Sequence, residues 1–318
     1  MILNKFKKLV LYDFRRDPLD ATFIKSLDSF ATEVEIILAE GEFQNGIKKT
    51  DLIGADAFIS RVFEHYPQGF FNETLLRYIG LTHTDVSDLN LNELKAKNIT
   101  LTHVPAYSTQ SVAELTIGAL ICIMRRIPEA LNYVRAGNWG FEPFLGSELF
   151  GKTLGIVGLG AIGSKVAHLA QAFGMEVLYY SRTRRRDQES LGISFVQFSE
   201  LLERSHVISF HCPLTEETRA MLTSERVQQL KSSTILLNPS RPEIFDLAAL
   251  YKRCATSDLF VWFDELQNQE WRDKFRNMDN VYLTPDFGWW TKEAQKRNRD
   301  WTLDNIKAYL AGKPQNTV

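Results

Sequence analysis

The 318 residues, 44% hydrophobic and 24% charged, are enough to bury a full core, and the length points to two domains. A formal net charge of −2 gives no electrostatic basis for a nucleic-acid or membrane partner. Three cysteines, Cys122, Cys212 and Cys254, are odd in number and far apart, so neither a disulfide framework nor a zinc or other metal site is indicated, and a reducing cytoplasm fits. The N-terminal MILNKFKKLVLYDF is basic but lacks a long apolar core or a cleavage site, so KLVLYD reads as a first strand. The longest apolar run, Leu115 to Met124, is too short to span a bilayer.

From residue 1 to about 104, KLVLYD, EVEIIL, ADAFIS, LLRYIG and ITLTH read as strands, with helices such as 20–30 and 89–97 between them. That alternation implies a small parallel α/β sheet. Pro105 marks a break, and a helical pattern runs from about Ser108 to Arg126, with Ser108 or Ser111 as N-cap and Glu114 one turn inside. Its face is almost wholly apolar, which requires burial in a core or between subunits. The next segment, NYVRAGNWGFEPFLGSELFG, is aromatic and aperiodic and reads as an arm at a dimer interface or as a packed surface loop.

The stretch from Thr153 to Ser181 holds the clearest motif. The apolar run Leu154 to Val157 reads as a buried strand, and Gly158-Leu159-Gly160-Ala161-Ile162-Gly163 follows, after which the apolar spacing becomes helical. Gly158 would make the tight turn, Gly160 would admit a pyrophosphate against backbone, and Gly163 would let helix and strand pack closely. Further strands are expected at VISFH, TILLN, LFVWF and VYLT, with helices near 199–204, 216–230 and 246–254. The pattern is α/β with two Rossmann-like doubly wound domains, a dinucleotide-binding domain over 105–291 inserted into a flavodoxin-like domain of 1–104 plus 292–318. The last 28 residues form an amphipathic helix stopped at Gly312-Lys313-Pro314.

Several motifs in this order resemble those of the D-isomer-specific 2-hydroxyacid dehydrogenases. They are Pro105-Ala106-Tyr107-Ser108 leading to Val112-Ala113-Glu114, the glycine turn, His211-Cys212-Pro213-Leu214-Thr215 with Thr218, Leu237-Asn238-Pro239-Ser240-Arg241, and LTPDFGWWTKEA near the end. Tyr107, Ser240-Arg241 and Trp289-Trp290 are most similar to the D-lactate dehydrogenase branch. The resemblance implies a substrate domain built from both chain ends, a dimer joined through the cofactor domain, and hydride exchange between a nicotinamide and a small 2-keto or 2-hydroxy acid. It also implies that Ala161, Ile162, His211, Cys212, Pro213, Thr218, Asn238, Pro239 and Ser240 line the cofactor with the three glycines, and that Asp264 meets the nicotinamide amide.

The reaction needs a fixed cation to polarise the ketone and hold the carboxylate, and an acid to protonate the emerging alkoxide. Arg241 matches the family's arginine, whose rigid guanidinium fork suits that work. Pro242 replaces the usual glycine beside it. The departure is at the acid: Thr284-Pro285 is followed by Asp286 where the family has histidine. An ordinary aspartate, with a pKa of about 3.9 against about 6.5 for histidine, would be ionised and repel an anionic substrate. Against apolar Phe287 and Trp289 it would instead hold a raised pKa. The carboxylate that orients the histidine is Glu270 by equal spacing from Arg241, whereas aligning the strand-end aspartate with Asp264 puts Gln269 there; Glu265 is a further candidate. Substitute or substrate-binding groups are His83 and Tyr107.

The acidic residue that would bind the ribose hydroxyls of NAD is absent after the second strand, where Ser181-Arg182-Thr183-Arg184 stands. Hydroxyls and guanidiniums suit a 2′-phosphate, so NADP is preferred to NAD. The leading expectation is an NADP-dependent oxidoreductase of the CH–OH group, and the alternative is a catalytically silent dinucleotide-binding protein.

Overall fold

Apolar runs too continuous for a half-exposed sheet pair side by side as parallel strands throughout the chain, as they must when both sheet faces are covered. The computed structural model describes residues 5–13, 21–39, 46–62, 66–86, 89–256 and 258–318. These fall into two units, one of residues up to Tyr107 together with Lys292–Val318, the other Ser108–Thr291. Residues 1–4 and 14 of the N-terminal stretch, and residue 20 of the first expected helix, lie outside the described residues.

The chain begins with β1 (Phe6–Asp13), α1 (Ala21–Leu27), β2 (Ala31–Leu38), β3 (Ala57–Ser60), β4 (Tyr78–Leu81), α2 (Leu91–Ala96) and β5 (Thr100–Thr102). The strands form an all-parallel sheet in the order β2-β1-β3-β4-β5, the doubly wound order of flavodoxin-like folds. Alternate residues of β1 feed the two faces: Val10 and Tyr12 pack with Phe58 and Ile79, while Leu9 and Leu11 pack with Ile59 and Tyr78.

The second unit runs through α3 (Thr109–Met124), α4 (Ile127–Arg135), β6 (Thr153–Val157), α5 (Ala161–Ala172), β7 (Glu176–Tyr180), α6 (Arg186–Glu189), β8 (Ser194–Phe195) and α7 (Phe198–Arg204). It continues with β9 (Val207–Phe210), α8 (Ser224–Gln229), β10 (Thr234–Asn238), α9 (Leu247–Cys254), β11 (Leu259–Phe263), α10 (Gln269–Phe275) and β12 (Val281–Leu283). Its sheet is also parallel, in the order β12-β11-β10-β9-β6-β7-β8, so the order reverses between β6 and β9. In such sheets ligands bind beyond the carboxyl ends of the strands at that reversal. The apolar face of α3, through Ala113, Ile117 and Leu120, is buried with Val166, Ala167 and Ala170 of α5.

Besides the short α6 and β8, for which no element is expected, three elements differ from the expectation. Arg126 takes a left-handed conformation, φ 51°, which ends α3, and α4 starts a new period that buries none of its residues; the expected aperiodic arm therefore begins as helix. Of 216–230 only α8 is helical, capped by Thr223, because Ala220 sits at φ 48° and Leu222 bridges to Phe245. The stretch after β11, for which no element is expected, forms α10, capped by the side chain of Asn268.

The final helix, α11 (Lys292–Leu310), belongs to the first unit, where Ile306 packs with Phe6 and Leu27, and Asn305 donates to the carbonyl of His103 at 2.9 Å. No helix among the described residues is long and apolar enough to cross a membrane. In the second unit the buried Asn280 amide donates to the carbonyls of Cys254 and Leu259 at 2.9 and 2.7 Å, joining the end of α9 to β11. Asn280→Ala would leave both acceptors buried and unpaired, and should lower the unfolding free energy by about 1–3 kcal/mol in urea titrations.

Candidate active site

The glycine turn leaves β6 at the point where the sheet order reverses. Gly158 adopts φ 94°, and a Cβ there would lie 2.7 Å from the amide nitrogen of Cys212, so this corner is pressed against the segment leaving β9. A Cβ on Gly163 would collide with the carbonyl oxygen of Gly158, whereas one on Gly160 would meet open space. Helix α5 opens with Ala161 and Ile162, has no side-chain cap and carries no acid in its first turn, so its N-terminal amides are presented to an anion. These features fit a dinucleotide pyrophosphate.

Around the turn, His211 is half-buried and bonded to Ser209 at 2.8 Å, and desolvation pulls its pKa down to about 3, so it is a neutral packing group. Thr218 donates to the Pro213 carbonyl at 2.7 Å and accepts from the Thr215 amide at the same distance, fixing the loop after Cys212. Beyond β7, Arg182 is 84% exposed, with a single loose ion pair to Glu217 at 3.7 Å, and the Ser181 hydroxyl donates to the Thr183 carbonyl. Arg184 is committed elsewhere: its guanidinium makes two bonds to Glu189, at 2.7 and 2.9 Å, and lies over Phe195. Arg185, not singled out in the sequence, donates to the carbonyl of Leu159 within the glycine turn at 3.1 Å. Its position after the basic run was the available signal.

Asn238 ends β10 fully buried and organises the next loop. Its Oδ1 accepts from the amide and hydroxyl of Ser240, both at 3.0 Å, and its Nδ2 donates to the Arg241 carbonyl at 3.2 Å. The loop passes through Pro239 and puts Arg241 at the cap of a 3-10 turn, Pro242–Ile244. Pro242 takes the first helical position, where its missing N–H leaves nothing unpaired; the replacement of glycine is accommodated without strain. The Nε of Arg241 lies 3.6 Å from Glu243 and 3.8 Å from Glu265.

Asp286 is on the loop after β12, and this loop is wound around the carboxylate of Asp264, which accepts from Thr284 Oγ1 at 2.7 Å, the Phe287 amide at 3.3 Å and the Gly288 amide at 2.8 Å. Within the described residues Asp264 thus serves as the loop's anchor, a role the sequence did not disclose. Asp286 itself has φ 53° and donates its amide to the Asp264 carbonyl. The left-handed region is one that Asp, Asn and His enter more readily than most side chains. Burial, then the charges of Glu265 and Asp264, push the Asp286 carboxyl up to about 7, against the opposing pull of Arg241 and the Trp289 indole.

The other expected site residues are placed less favourably. Glu270 is on the exposed side of α10, bonded to Lys274 at 2.6 Å, and Gln269 is exposed at the start of the same helix. Of the acidic candidates named from the sequence, Glu265 is the one that lies near Arg241, at 3.8 Å, and Glu243 flanks the same guanidinium at 3.6 Å. In the first unit His83 is buried, its Nδ1 within 2.7 Å of the Asp85 carbonyl, and burial pulls its pKa down to about 4, so it holds no proton to give at neutrality. Tyr107 is buried, with its carbonyl bonded to Arg297 at 2.8 Å. No group of three or more metal-ligating side chains occurs among the described residues.

The model of the D-isomer specific 2-hydroxyacid dehydrogenase NAD binding domain matches residues 117–288. A glyoxylate reductase of Thermococcus litoralis is 33% identical over 310 residues, covering 93% of this chain and 92% of that protein. The chain belongs to the D-isomer-specific 2-hydroxyacid dehydrogenase family. As a member of this family it is a nicotinamide-dependent oxidoreductase of the CH–OH group. A glyoxylate reductase of Korarchaeum cryptofilum is 34% identical over 274 residues, 83% of this chain and 80% of that protein. Among solved structures, an acyclic imino acid reductase in complex with NADPH and D-Arg superposes with a TM-score of 0.86 at 28% identity, covering 98% of this chain and 99% of that one. D-Lactate dehydrogenase of Aquifex aeolicus, complexed with NAD and lactic acid, gives 0.85 at 27% identity and 96% coverage of both chains.

Gly163→Ala should abolish detectable binding of NADPH and NADH in calorimetric titrations while leaving the fold, because the new methyl displaces the turn that admits the phosphates. Asp286 also marks the stability profile. Its folded pKa lies near 7 and the ordinary value is 3.8, so the native state binds the proton more tightly, and stability falls as pH rises between the two. Asp286→Asn should therefore melt above the parent at pH 8, and the difference should shrink as the pH is lowered through 7 in thermal unfolding.

Proposed function

We propose that this protein interconverts small 2-keto and 2-hydroxy acids with NADP(H), using Arg241 to bind substrate and Asp286 to carry the proton. The carboxyl of Asp286 supports this reading, because a group titrating near 7 does at neutral pH what the family's histidine does. The dinucleotide, when bound, supplies or accepts the hydride. Arg241 holds the substrate carboxylate and draws electron density toward the carbonyl oxygen. Protonated Asp286 gives its proton to that oxygen in reduction and takes it back in oxidation. Glu265 keeps the Asp286 proton in place through its charge and sets Arg241 by their ion pair.

The unit of Ser108–Thr291 is the dinucleotide domain and the unit containing Tyr107 and His83 is the substrate domain. The 2′-phosphate falls to Ser181, Arg182 and Thr183; the NADPH of the imino acid reductase supports this preference, while Arg184 and Arg185 support the loop through Glu189 and Asp187. Glyoxylate and hydroxypyruvate, which name the curated relatives, are the first substrates to assay. The three cysteines are free thiols, as a cytoplasmic protein would have. A homodimer is supported by large apolar side chains left bare on α4 and the segment after it: Leu131, Trp139, Phe141, Leu145 and Phe150.

NADPH-dependent reduction across a panel of 2-keto acids should decline above about pH 7 as Asp286 ionises, and Asp286→Asn should reduce kcat by roughly a hundred- to ten-thousand-fold. Asp286→His should retain activity and shift the pH profile only slightly, since the two groups exchange protons at similar pH; a large gain in rate would show that Asp286 is not a working acid. NADPH binding with no turnover by either the parent or Asp286→His would leave only a silent dinucleotide-binding protein. Arg182→Ala should weaken NADPH by about tenfold and leave NADH unchanged, as measured by calorimetry. Sedimentation at micromolar concentration should give the dimer mass, and a monomer would overturn that assignment.

A further inference from the structure

We propose that the same site also reduces carbon–nitrogen double bonds, taking the iminium form of a 2-imino acid, with Arg241 on the carboxylate and ionised Asp286 on the nitrogen. The inference rests on the oxidoreductase reading above and concerns which electrophile the site favours.

The charges at the strand ends carry the argument. Arg241 is flanked by Glu243 at 3.6 Å and Glu265 at 3.8 Å, and Asp286 feels the carboxylates of Glu265 and Asp264 against the guanidinium of Arg241. A histidine at this place brings positive charge when protonated; an aspartate brings none in either state. Reduction of a ketone builds an alkoxide, a second negative charge beside the substrate carboxylate, among carboxylates already exceeding the cation. An iminium carboxylate has the opposite distribution. Its anion suits Arg241 and its N–H groups suit the carboxylate of Asp286, which keeps the nitrogen protonated and the carbon electrophilic.

The proton balance also differs. A ketone must acquire a hydride on carbon and a proton on oxygen, so it needs Asp286 in the acid form. In the iminium the carbon accepts the hydride that NADPH supplies, the C=N π pair becomes the nitrogen lone pair, and a neutral amine results with no proton from the protein. The amine then takes a proton from water and remains paired with Asp286. Glu265, Asp264 and Arg241 act on the state of Asp286, and Trp289 places an indole N–H beside it.

The test compares products. The purified protein, NADPH and a 2-keto acid are incubated in mildly alkaline buffer with and without excess ammonium, which condenses with the keto acid to the imine and water, and amino and hydroxy acids are separated by chiral chromatography. The proposal expects an amino acid product and NADPH consumption at least about tenfold faster with ammonium, the scale of one charge-assisted bond. Hydroxy acid alone, at a rate indifferent to ammonium, would overturn the proposal and leave the 2-keto acid reading standing; no product under either condition would overturn both. A binding measurement supplies a readout apart from turnover. With NADP+ present, D-alanine should bind more tightly than D-lactate at alkaline pH, and Asp286→Asn should remove that preference. Equal binding of the two by the parent protein would count against the proposal.

Discussion

The carboxylate of Asp264 holds the loop that carries Asp286 in place. It lies just past the end of β11, is almost fully buried, and accepts from Thr284, Phe287 and Gly288, so the chain leaving β12 must wrap around it. Trp262 extends the network by donating to the Thr284 hydroxyl at 3.0 Å. A Cβ at Gly288 would stand 2.7 Å from the Asp264 carboxylate, so the tightness of the wrap dictates glycine there. The left-handed turn at Asp286 follows from the same winding. A buried carboxylate with three donors is well satisfied, and its remaining charge falls on the next ionisable group along the loop.

That coupling explains how an aspartate can stand where a histidine is usual. Water alone would leave Asp286 ionised through the physiological range, but burial and two neighbouring carboxylates move it to the titration range of an imidazole. The two groups then exchange protons at similar pH while differing by one unit of charge in every state. Proton capacity and electrostatic field, which histidine supplies together, are separated here. The site proposed here would thus keep the proton exchange of a histidine while favouring a different distribution of charge on its substrate.

The fold was legible because both sheets are parallel and covered on both faces, which writes each strand as a continuous apolar run. The glycine turn was legible because Gly158 and Gly163 are sterically required, one at φ 94° and the other against the Gly158 carbonyl. The short helices were not: α10 and α4 have one or two turns each, and their evidence in sequence is little more than Asn268 as a cap and Pro128 in a first turn. Among site residues, Arg241 could be read from its motif, whereas the choice between Glu265 and Glu270 depends on where β11 ends and which way the next residues face. Spacing alone carries no such information. Arg184 and Arg185 were equivalent in sequence; each is paired with a nearby carboxylate, Glu189 and Asp187, and only Arg185 also reaches the Leu159 carbonyl of the glycine turn.

The helix α11 has a consequence for how the chain is made. Ile306 completes a hydrophobic cluster whose members include Phe6, Leu9 and Leu11, synthesised almost three hundred residues earlier. Contacts so distant along the chain form late, because the intervening segment must first be ordered or its loop closed. On the ribosome, the unit of Ser108–Thr291 has all its strands before that helix emerges, whereas the first sheet waits with one face covered only in part, by α1. The unit of Ser108–Thr291 is thus placed to fold first, ahead of the unit that encloses it in sequence.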